Sequence, residues 1–298
     1  MEQFLLETDD NTVLAVHTFD VEQPRAVVQI IHGMEEHQER YEGFATFLNS
    51  KGYSVVTSDL RGHGMTAKDL GHFKNKNGHI ALISDQIKIR DFIDERYDGL
   101  PVYLFAHSMG TIISRVLLQT QSQRYQRVVL SGYPYYQTAM PLGVFLTDII
   151  RLLRGPKYKS GFIQKISIGV FNKKIPDAKT DVDWVCANEA TIRAYIDDPY
   201  CGIGFTCSAF NDLYHLMIKM HKPELYKNVN SDMQLLMLRG IDDPCTGGET
   251  GTADSIEVLK RAGFNQIRRI DYPDMRHEIL NEKDYQIVYN DVADFFGE

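Results

Sequence analysis

The sequence lacks any apolar run of the roughly 18 residues that a membrane-spanning helix needs. Its first ten residues contain neither a basic segment nor a long apolar segment, so we expect no signal peptide and a cytoplasmic protein. Cysteine is also scarce. The four cysteines form no Cys-x-x-Cys pair and are too few for a disulfide scaffold, so we expect free thiols in a reducing compartment.

The chain has no excess of positive charge. Its 32 Lys and Arg against 40 Asp and Glu give a formal net charge of −8 at pH 7. Nucleic-acid-binding proteins concentrate Lys and Arg on one surface, so we expect no nucleic-acid partner. Hydrophobic residues, in contrast, make up 43% of the 298 positions, which is enough for a large core with an insertion.

Short apolar runs alternate with helix-length segments along most of the chain. After the third run this alternation predicts a mostly parallel sheet that is covered by helices on both faces. The predicted strands lie near residues 4–8, 13–19, 25–31, 53–58, 101–106, 127–131, 233–239 and 266–271. The predicted helices lie near residues 40–50, 79–97, 109–121, 250–262 and 282–297.

Ser108 lies on a predicted turn between a buried strand and a helix. Two residues away on either side are Ala106 and Gly110, small residues that a tight strand-to-helix turn requires. Such a turn exposes the hydroxyl at a helix N-terminus, where developing negative charge is favoured. We therefore predict that Ser108 is a catalytic nucleophile; the alternative is a serine that only caps the helix.

Acid and base candidates follow two later predicted strands. Asp242 and Asp243 come after the strand that ends at Gly240, and His277 follows the last strand. The chain order Ser, Asp, His is the order of α/β-hydrolases and differs from that of chymotrypsin and subtilisin. We predict that His277 is the general base; the alternative is a histidine of a surface loop.

Several further motifs accompany this order. They are His32-Gly-Met-Glu-Glu-His37, Arg40-Tyr41, Phe44-Ala45, Gly52-Tyr53, Asp59-x-Arg61-Gly-His63-Gly-x-Thr66 and His107-Ser108-Met109-Gly110. With them the chain resembles the monoacylglycerol lipase and lysophospholipase branch of the α/β-hydrolases over nearly its whole length, apart from the middle.

The resemblance implies an α/β-hydrolase fold, with a mostly parallel eight-stranded sheet flanked by helices and an inserted, mainly helical cap. It selects Asp243 over Asp242, because the family's acid usually precedes a proline or similar residue, here Pro244. It also implies an oxyanion hole formed by the backbone N–H groups of Met34 and Met109. The implied substrate is an acyl ester such as a monoacylglycerol, a lysophospholipid or a short model ester, and no cofactor is needed.

The chain between Ser108 and Asp243 is longer than one helix and one strand require. We assign the surplus, residues 134–221, to the cap, and residues 1–133 and 222–298 to the hydrolase core. Aromatic residues in and next to this segment suit the wall of an apolar pocket, and we take Tyr133, Phe145 and Phe210 as candidate substrate-binding residues.

Within the predicted cap, residues 142–153 are apolar over much of a helix and are followed by basic residues. This pattern suits transient contact with a membrane surface; the alternative is a helix that packs over the pocket mouth.

Other motifs predict neither a metal nor a nucleotide. His32 and His37 with Glu35 and Glu36 have neither the H-E-x-x-H nor the H-x-x-E-H spacing of a zinc site. The glycines of residues 62–64 do not open a dinucleotide-binding helix. Two competing functions remain open. One is a peptidase or amidase of the proline iminopeptidase type, and the other is a catalytically silent hydrolase fold that acts as a ligand receptor.

Overall fold

A single eight-stranded sheet forms the centre of the molecule in a computed structural model that describes residues 1–298. The strand order is β1-β2-β4-β3-β5-β6-β7-β8; β2 runs antiparallel to β1 and β4, and the pairs from β4 to β8 are parallel. The strands are β1 (Glu2–Glu7), β2 (Val13–Phe19), β3 (Ala26–Ile31), β4 (Tyr53–Ser58), β5 (Val102–His107), β6 (Arg127–Ser131), β7 (Gln234–Gly240) and β8 (Gln266–Tyr272). The predicted mostly parallel sheet is confirmed.

Ten α-helices accompany the sheet. Five follow the predicted pattern: α1 (Glu42–Ser50), α2 (Gly78–Arg96), α3 (Met109–Gln121), α9 (Gly248–Ala262) and α10 (Tyr285–Gly297). The other five lie between β6 and β7: α4 (Met140–Arg154), α5 (Gly161–Ser167), α6 (Gly169–Asn172), α7 (Glu189–Asp197) and α8 (Cys207–Met220). The first and last residues of every predicted strand and helix lie within three residues of the observed ones.

Both faces of the sheet are buried. Successive residues of a strand point to opposite faces, and Val27 and Val28 of β3 accordingly belong to two different apolar clusters. The first cluster includes residues of α2, α3 and α8, and the second includes residues of α1 and α10. Helices on both faces explain why the parallel strands are continuous apolar runs.

The helices between β6 and β7, which we call the helical insertion, pack on one another and on the core. Helix α8 is buried along most of its length and packs against both α3 and α4. Helix α4 is amphipathic, and several apolar side chains on its outer side are exposed: Phe145, Ile149, Leu152 and Leu153. None of the helices combines the length and the apolar composition needed to cross a membrane.

Candidate active site

Ser108 forms the turn between β5 and α3 with a positive φ of 50° and a ψ of −120°. The backbone at this turn comes so close to β3 that a Cβ on Gly110 would lie 2.2 Å from the carbonyl oxygen of Ile31. The N–H of Ser108 donates to the carbonyl of Ser131 at 2.9 Å, which ties the turn to β6. The small residue at position 110 therefore lets α3 begin directly above the sheet.

The structure brings Ser108, His277 and Asp243 together. The Nε2 of His277 lies 2.8 Å from the Oγ of Ser108, and its Nδ1 lies 2.8 Å from the Oδ2 of Asp243. All three residues are buried. A serine, a histidine and a carboxylate linked in this order have the geometry of a nucleophile, its general base and the group that orients the base.

Asp243 and Asp242 have opposite environments. The side chain of Asp243 has no exposed surface, and its second oxygen accepts a hydrogen bond of 2.8 Å from the N–H of Cys245. Asp242 is exposed, and its side chain takes no part in a hydrogen bond or ion pair. The loop that carries His277 packs closely against Gly240, where a Cβ would lie 2.1 Å from the carbonyl oxygen of Met275. The lack of a side chain at Gly240 therefore lets this loop approach Asp243.

The ring of His277 lies between two aromatic neighbours. Its centroid is 4.7 Å from that of His107 and 4.8 Å from that of Trp184. Burial lowers the pKa of His277, but the charge of Asp243 and the hydrogen bond to it outweigh burial and raise the pKa above its ordinary value. Burial and the neighbouring His277 lower the pKa of His107 to about 4, so His107 is neutral near pH 7.

This raised pKa predicts the acid limb of the pH profile. Below its pKa, His277 carries a proton on Nε2 and cannot accept the proton of Ser108, so kcat/KM for a neutral ester should fall as pH decreases through that pKa. We expect the midpoint to lie above the value of about 6.5 of an ordinary histidine. The measurement is kcat/KM against pH, with the released acid determined chromatographically; a midpoint at or below about 6.5 would contradict the prediction.

Two backbone N–H groups near Ser108 have no partner within the protein. The N–H of Met34 donates to no other group, and that of Met109 belongs to the first residue of α3, where helix amides lack intrahelical acceptors. Both residues line the same cavity as Ser108. Two free amides beside the hydroxyl of Ser108 match the donors that an oxyanion hole requires.

The segment 32–37, which we call the oxyanion loop, is fixed by buried polar side chains. Glu36 accepts hydrogen bonds from the N–H of Gly33 at 2.5 Å and from the Tyr41 hydroxyl at 2.9 Å. Arg40 binds Glu36 at 2.8 Å and forms two hydrogen bonds of 2.6 Å with Glu278, next to His277. The same guanidinium therefore connects the oxyanion loop to the loop of the candidate base.

The Asp59–Thr66 segment supports the oxyanion loop from the other side. The Nε2 of His63 accepts a hydrogen bond from the N–H of Glu35 at 3.3 Å, and Asp59 accepts one from the N–H of Gln38 at 2.9 Å. The Nε2 of His32 accepts one from the N–H of Leu60 at 2.9 Å. Burial lowers the pKa of His32 to about 3, so it stays neutral and keeps this acceptor. The Asp59–Thr66 motif thus supports the oxyanion loop.

A cavity of about 210 Å³ opens beside Ser108 and His277. Apolar residues account for 18 of its 29 lining residues. They include Ile112, Leu142, Leu146, Ile166, Leu213 and Met217. Three glutamates also line the cavity, Glu35, Glu36 and Glu278, whereas no lysine or arginine does. The space therefore suits an apolar chain and a head group without negative charge.

The three predicted substrate-binding residues are not among the lining residues. Phe210 is fully buried among apolar side chains, and Tyr133 is buried with its hydroxyl 3.3 Å from Thr252. Phe145 lies on the outer side of α4 with 60% of its surface exposed. Aromatic content identified the segment that contributes to the cavity wall, but not which of its residues face the cavity. Those positions depend on how the helices of the insertion pack. Trp184 and Leu146, which do line the cavity, had no distinguishing signal in the sequence.

A cluster of potential metal ligands lies next to the oxyanion loop. Ligand atoms of His37, Asp198 and Cys201 lie within 4.8 Å of one another. His37 and Asp198 already share a hydrogen bond of 2.8 Å, and burial raises the pKa of the Cys201 thiol, which disfavours the thiolate that metals bind. We assign no metal to this cluster.

Comparison with known proteins agrees with the fold. A monoacylglycerol lipase of Mycolicibacterium smegmatis is 23% identical over 270 residues, which are 91% of this chain and 87% of that protein. The Bacillus subtilis phospholipase YtpA is 34% identical over 117 residues, but the match covers only 39% of this chain and 43% of the phospholipase. A carboxyl esterase from Bacillus coagulans, solved in complex with glycerol, superposes with a TM-score of 0.92 at 21% identity, covering 99% of this chain and 97% of that chain.

The sheet, its helices and these comparisons define an α/β-hydrolase of the ester-hydrolysing class, similar to monoglyceride lipases. The chain belongs to the Hydrolase_4 family, described as serine aminopeptidase, S33, whose profile matches residues 22–284.

Proposed function

We propose that this protein hydrolyses the ester bond of monoacylglycerols by means of a covalent acyl-enzyme on Ser108. The observation that carries the proposal is the hydrogen-bonded chain Ser108–His277–Asp243, which lies beside a mostly apolar cavity. The relatives that are named monoacylglycerol lipase support the substrate class.

In the first half of the reaction the Oγ of Ser108 attacks the ester carbonyl while His277 takes its proton. The N–H groups of Met34 and Met109 hold the resulting oxyanion, and one such donor typically contributes about 3 to 4 kcal/mol to transition-state stabilisation. Asp243 stabilises the protonated imidazole without taking the proton. The intermediate collapses, the bond to the alcohol breaks, and His277 gives its proton to the leaving alkoxide.

In the second half, water hydrolyses the acyl-enzyme. His277 removes a proton from the water, the hydroxide attacks the acyl carbon, and the fatty acid leaves as the proton returns to the Oγ of Ser108. The apolar lining of the cavity accommodates the acyl chain. Glu36 and Glu278 are already paired with Arg40, so the carboxylate of Glu35, which forms no ion pair, is the lining acceptor for a hydroxyl group of a glycerol. A neutral head group avoids charge repulsion with it.

In this proposal residues 134–221 form a cap over the cavity. Helices α4 and α5 contribute Leu142, Leu146 and Ile166 to its lining, while other apolar side chains of α4 face solvent. We propose that this outer side of α4 contacts lipid aggregates transiently. Arg151 in the last turn of α4 and Lys157 just after the helix already pair with Asp148 and Asp69, so apolar contact is the main source of affinity.

Replacing Phe145 and Ile149 together by serine tests this contact. The two side chains are 60% and 40% exposed, so we expect the fold to be retained. Activity on a long-chain monoacylglycerol in phosphatidylcholine vesicles should fall about ten-fold, because apolar area that enters the lipid interface is lost. Activity on a soluble short-chain ester should not change. The control is Leu5→Ser, an exposed apolar residue on β1; equal losses on both substrates would contradict the lipid contact.

A substrate panel tests the proposed reaction. Purified protein is assayed with monoacylglycerols of increasing chain length, a lysophosphatidylcholine, p-nitrophenyl butyrate and aminoacyl p-nitroanilides. We expect the highest kcat/KM on a monoacylglycerol. Absence of turnover on every substrate, together with absence of labelling by a fluorophosphonate, would favour a silent hydrolase fold.

One observation favours a second candidate, an aminopeptidase. The matched family is described as serine aminopeptidase, and the carboxylate of Glu35, which lines the cavity and forms no ion pair, could receive the ammonium group of a peptide N-terminus. The arm of the panel with prolyl and leucyl p-nitroanilides decides between the two. Turnover of these amides at a higher kcat/KM than that of any ester would establish the aminopeptidase.

A further inference from the structure

Glu35, the residue that follows Met34, is held by three parts of the helical insertion. Its carbonyl oxygen accepts hydrogen bonds from the Tyr195 hydroxyl and from the N–H of Gly202, both at 3.0 Å. Its carboxylate accepts a hydrogen bond of 2.9 Å from the side-chain amide of Gln164. These contacts come from α5, α7 and the loop after α7. The helical insertion therefore binds the oxyanion loop at the residue next to Met34, whose N–H has no partner within the protein.

Neighbouring contacts also connect the helical insertion to the oxyanion loop. Two residues further along the oxyanion loop, His37 shares a hydrogen bond of 2.8 Å with Asp198 of the insertion. The guanidinium of Arg40 lies over the ring of Tyr195, 5.2 Å from its centroid, which is a cation–π geometry. The segment from Tyr195 to Gly202 thus contacts the oxyanion loop on both sides of Glu36.

The local conformation does not by itself favour a glutamate at this position. The φ of Glu35 is 56°, a left-handed value that is unfavourable for a residue with a side chain and readily adopted by glycine. Only 6% of Glu35 is exposed, and burial raises the pKa of its carboxyl. What the glutamate adds at this position is the hydrogen bond between its carboxylate and the side-chain amide of Gln164.

We propose that Glu35 is a positioning residue that fastens the oxyanion loop to the helical insertion and so aims the N–H of Met34 at the reacting carbonyl oxygen. This inference rests on the proposed function, in which Met34 supplies one of the two oxyanion donors. It extends that function by giving the insertion a part in the chemical step in addition to lining the cavity.

A specific kinetic signature follows. An oxyanion donor acts mainly on the transition state, so misplacing it lowers kcat and leaves KM nearly unchanged. Loss of a residue that only lines the cavity would instead raise KM. Loss of a residue that only stabilises the fold would lower the melting temperature, with kcat per folded molecule unchanged.

Glu35→Gly separates these roles, because glycine relieves the left-handed backbone and removes the side-chain contact together. We expect a melting temperature equal to or above that of the wild type and a kcat for p-nitrophenyl butyrate that is lower by roughly ten-fold. Glu35→Gln keeps the shape and an acceptor for Gln164, so it should restore most of the kcat. The matched control is Asn228→Gly, since Asn228 has a φ of 50° and lies outside the cavity lining.

Tyr195→Phe tests the contact from the other partner. It removes one hydroxyl donor to the carbonyl of Glu35 and keeps the ring under Arg40, so kcat should fall about three-fold at unchanged KM. Its control is Tyr200→Phe, on the same segment, whose hydroxyl makes no hydrogen bond in the structure.

A wild-type kcat in both Glu35→Gly and Tyr195→Phe would overturn the positioning role, as would a change confined to KM. If Glu35→Gly does not fold, Tyr195→Phe alone decides. Fluorophosphonate labelling of the wild type at Ser108 and loss of activity in Ser108→Ala are measured in parallel. If these fail, the proposed function is wrong and the inference falls with it; if they hold, a wild-type kcat in the other variants refutes the positioning role alone.

Discussion

Replacing Ser108 by alanine is expected to abolish ester hydrolysis and leave the fold intact. The substitution removes one oxygen, whose hydrogen-bond partner is the Nε2 of His277 at 2.8 Å, and keeps the Cβ at the turn. Loss of the nucleophile in a serine triad lowers kcat by a factor on the order of 10⁶. The measurement is kcat on p-nitrophenyl butyrate, with the melting temperature recorded for both proteins.

A matched control for this variant is Ser255→Ala. Ser255 is a buried serine of α9 whose hydroxyl has no hydrogen-bond partner in the structure, so its removal should leave kcat unchanged. The wild type should also gain the mass of a fluorophosphonate at Ser108 alone. A Ser108→Ala variant that keeps a tenth of the wild-type rate, or a probe attached to another residue, would contradict the assignment of the nucleophile.

Asp243→Asn is expected to lower kcat by roughly 10⁴-fold, the loss found when the corresponding acid of a serine protease is changed to its amide. The Oδ2 of Asp243 accepts a hydrogen bond from the Nδ1 of His277, and an amide nitrogen in its place would favour the wrong tautomer of the ring. Without the negative charge, the pKa of His277 loses the contribution that raises it. The acid limb of the residual activity should therefore move to lower pH.

Asp242→Asn is the control, since it makes the same chemical change one residue earlier in an exposed side chain without polar partners. We expect its kcat to stay within about two-fold of the wild type, as for other surface substitutions. A larger loss in Asp242→Asn than in Asp243→Asn would show that the acid of the triad was assigned to the wrong carboxylate.

Much of the hydrolase core could be predicted from the sequence because its signals are local. A parallel strand that is buried on both faces is a continuous apolar run, as Val102–His107 and Arg127–Ser131 illustrate. The turn at Ser108 likewise has a local signal in the small residues Ala106 and Gly110, although the reason for Gly110 is the closeness of its backbone to β3. Residues in such places are constrained by their immediate chain neighbours and by the sheet beneath them.

The walls of the cavity could not be predicted in this way. In the helical insertion, aromatic residues occur on both the inner and the outer sides of the helices. Phe210 is therefore buried in the core, Phe145 faces solvent and Trp184 lies against the ring of His277. All three are aromatic residues of the same segment, and only the way that segment packs separates them.

The sequence by itself determined the strands of the sheet, because each buried strand is a continuous apolar run, and it gave the chain order of the serine, the two candidate aspartates and the histidine directly. Tertiary structure decided which carboxylate meets His277, as well as the link from Arg40 to Glu278 across 238 positions. It also decided the hydrogen bonds between the helical insertion and Glu35. These contacts join segments that are distant along the chain, and their geometry follows only once both faces of the sheet and the helical insertion have packed.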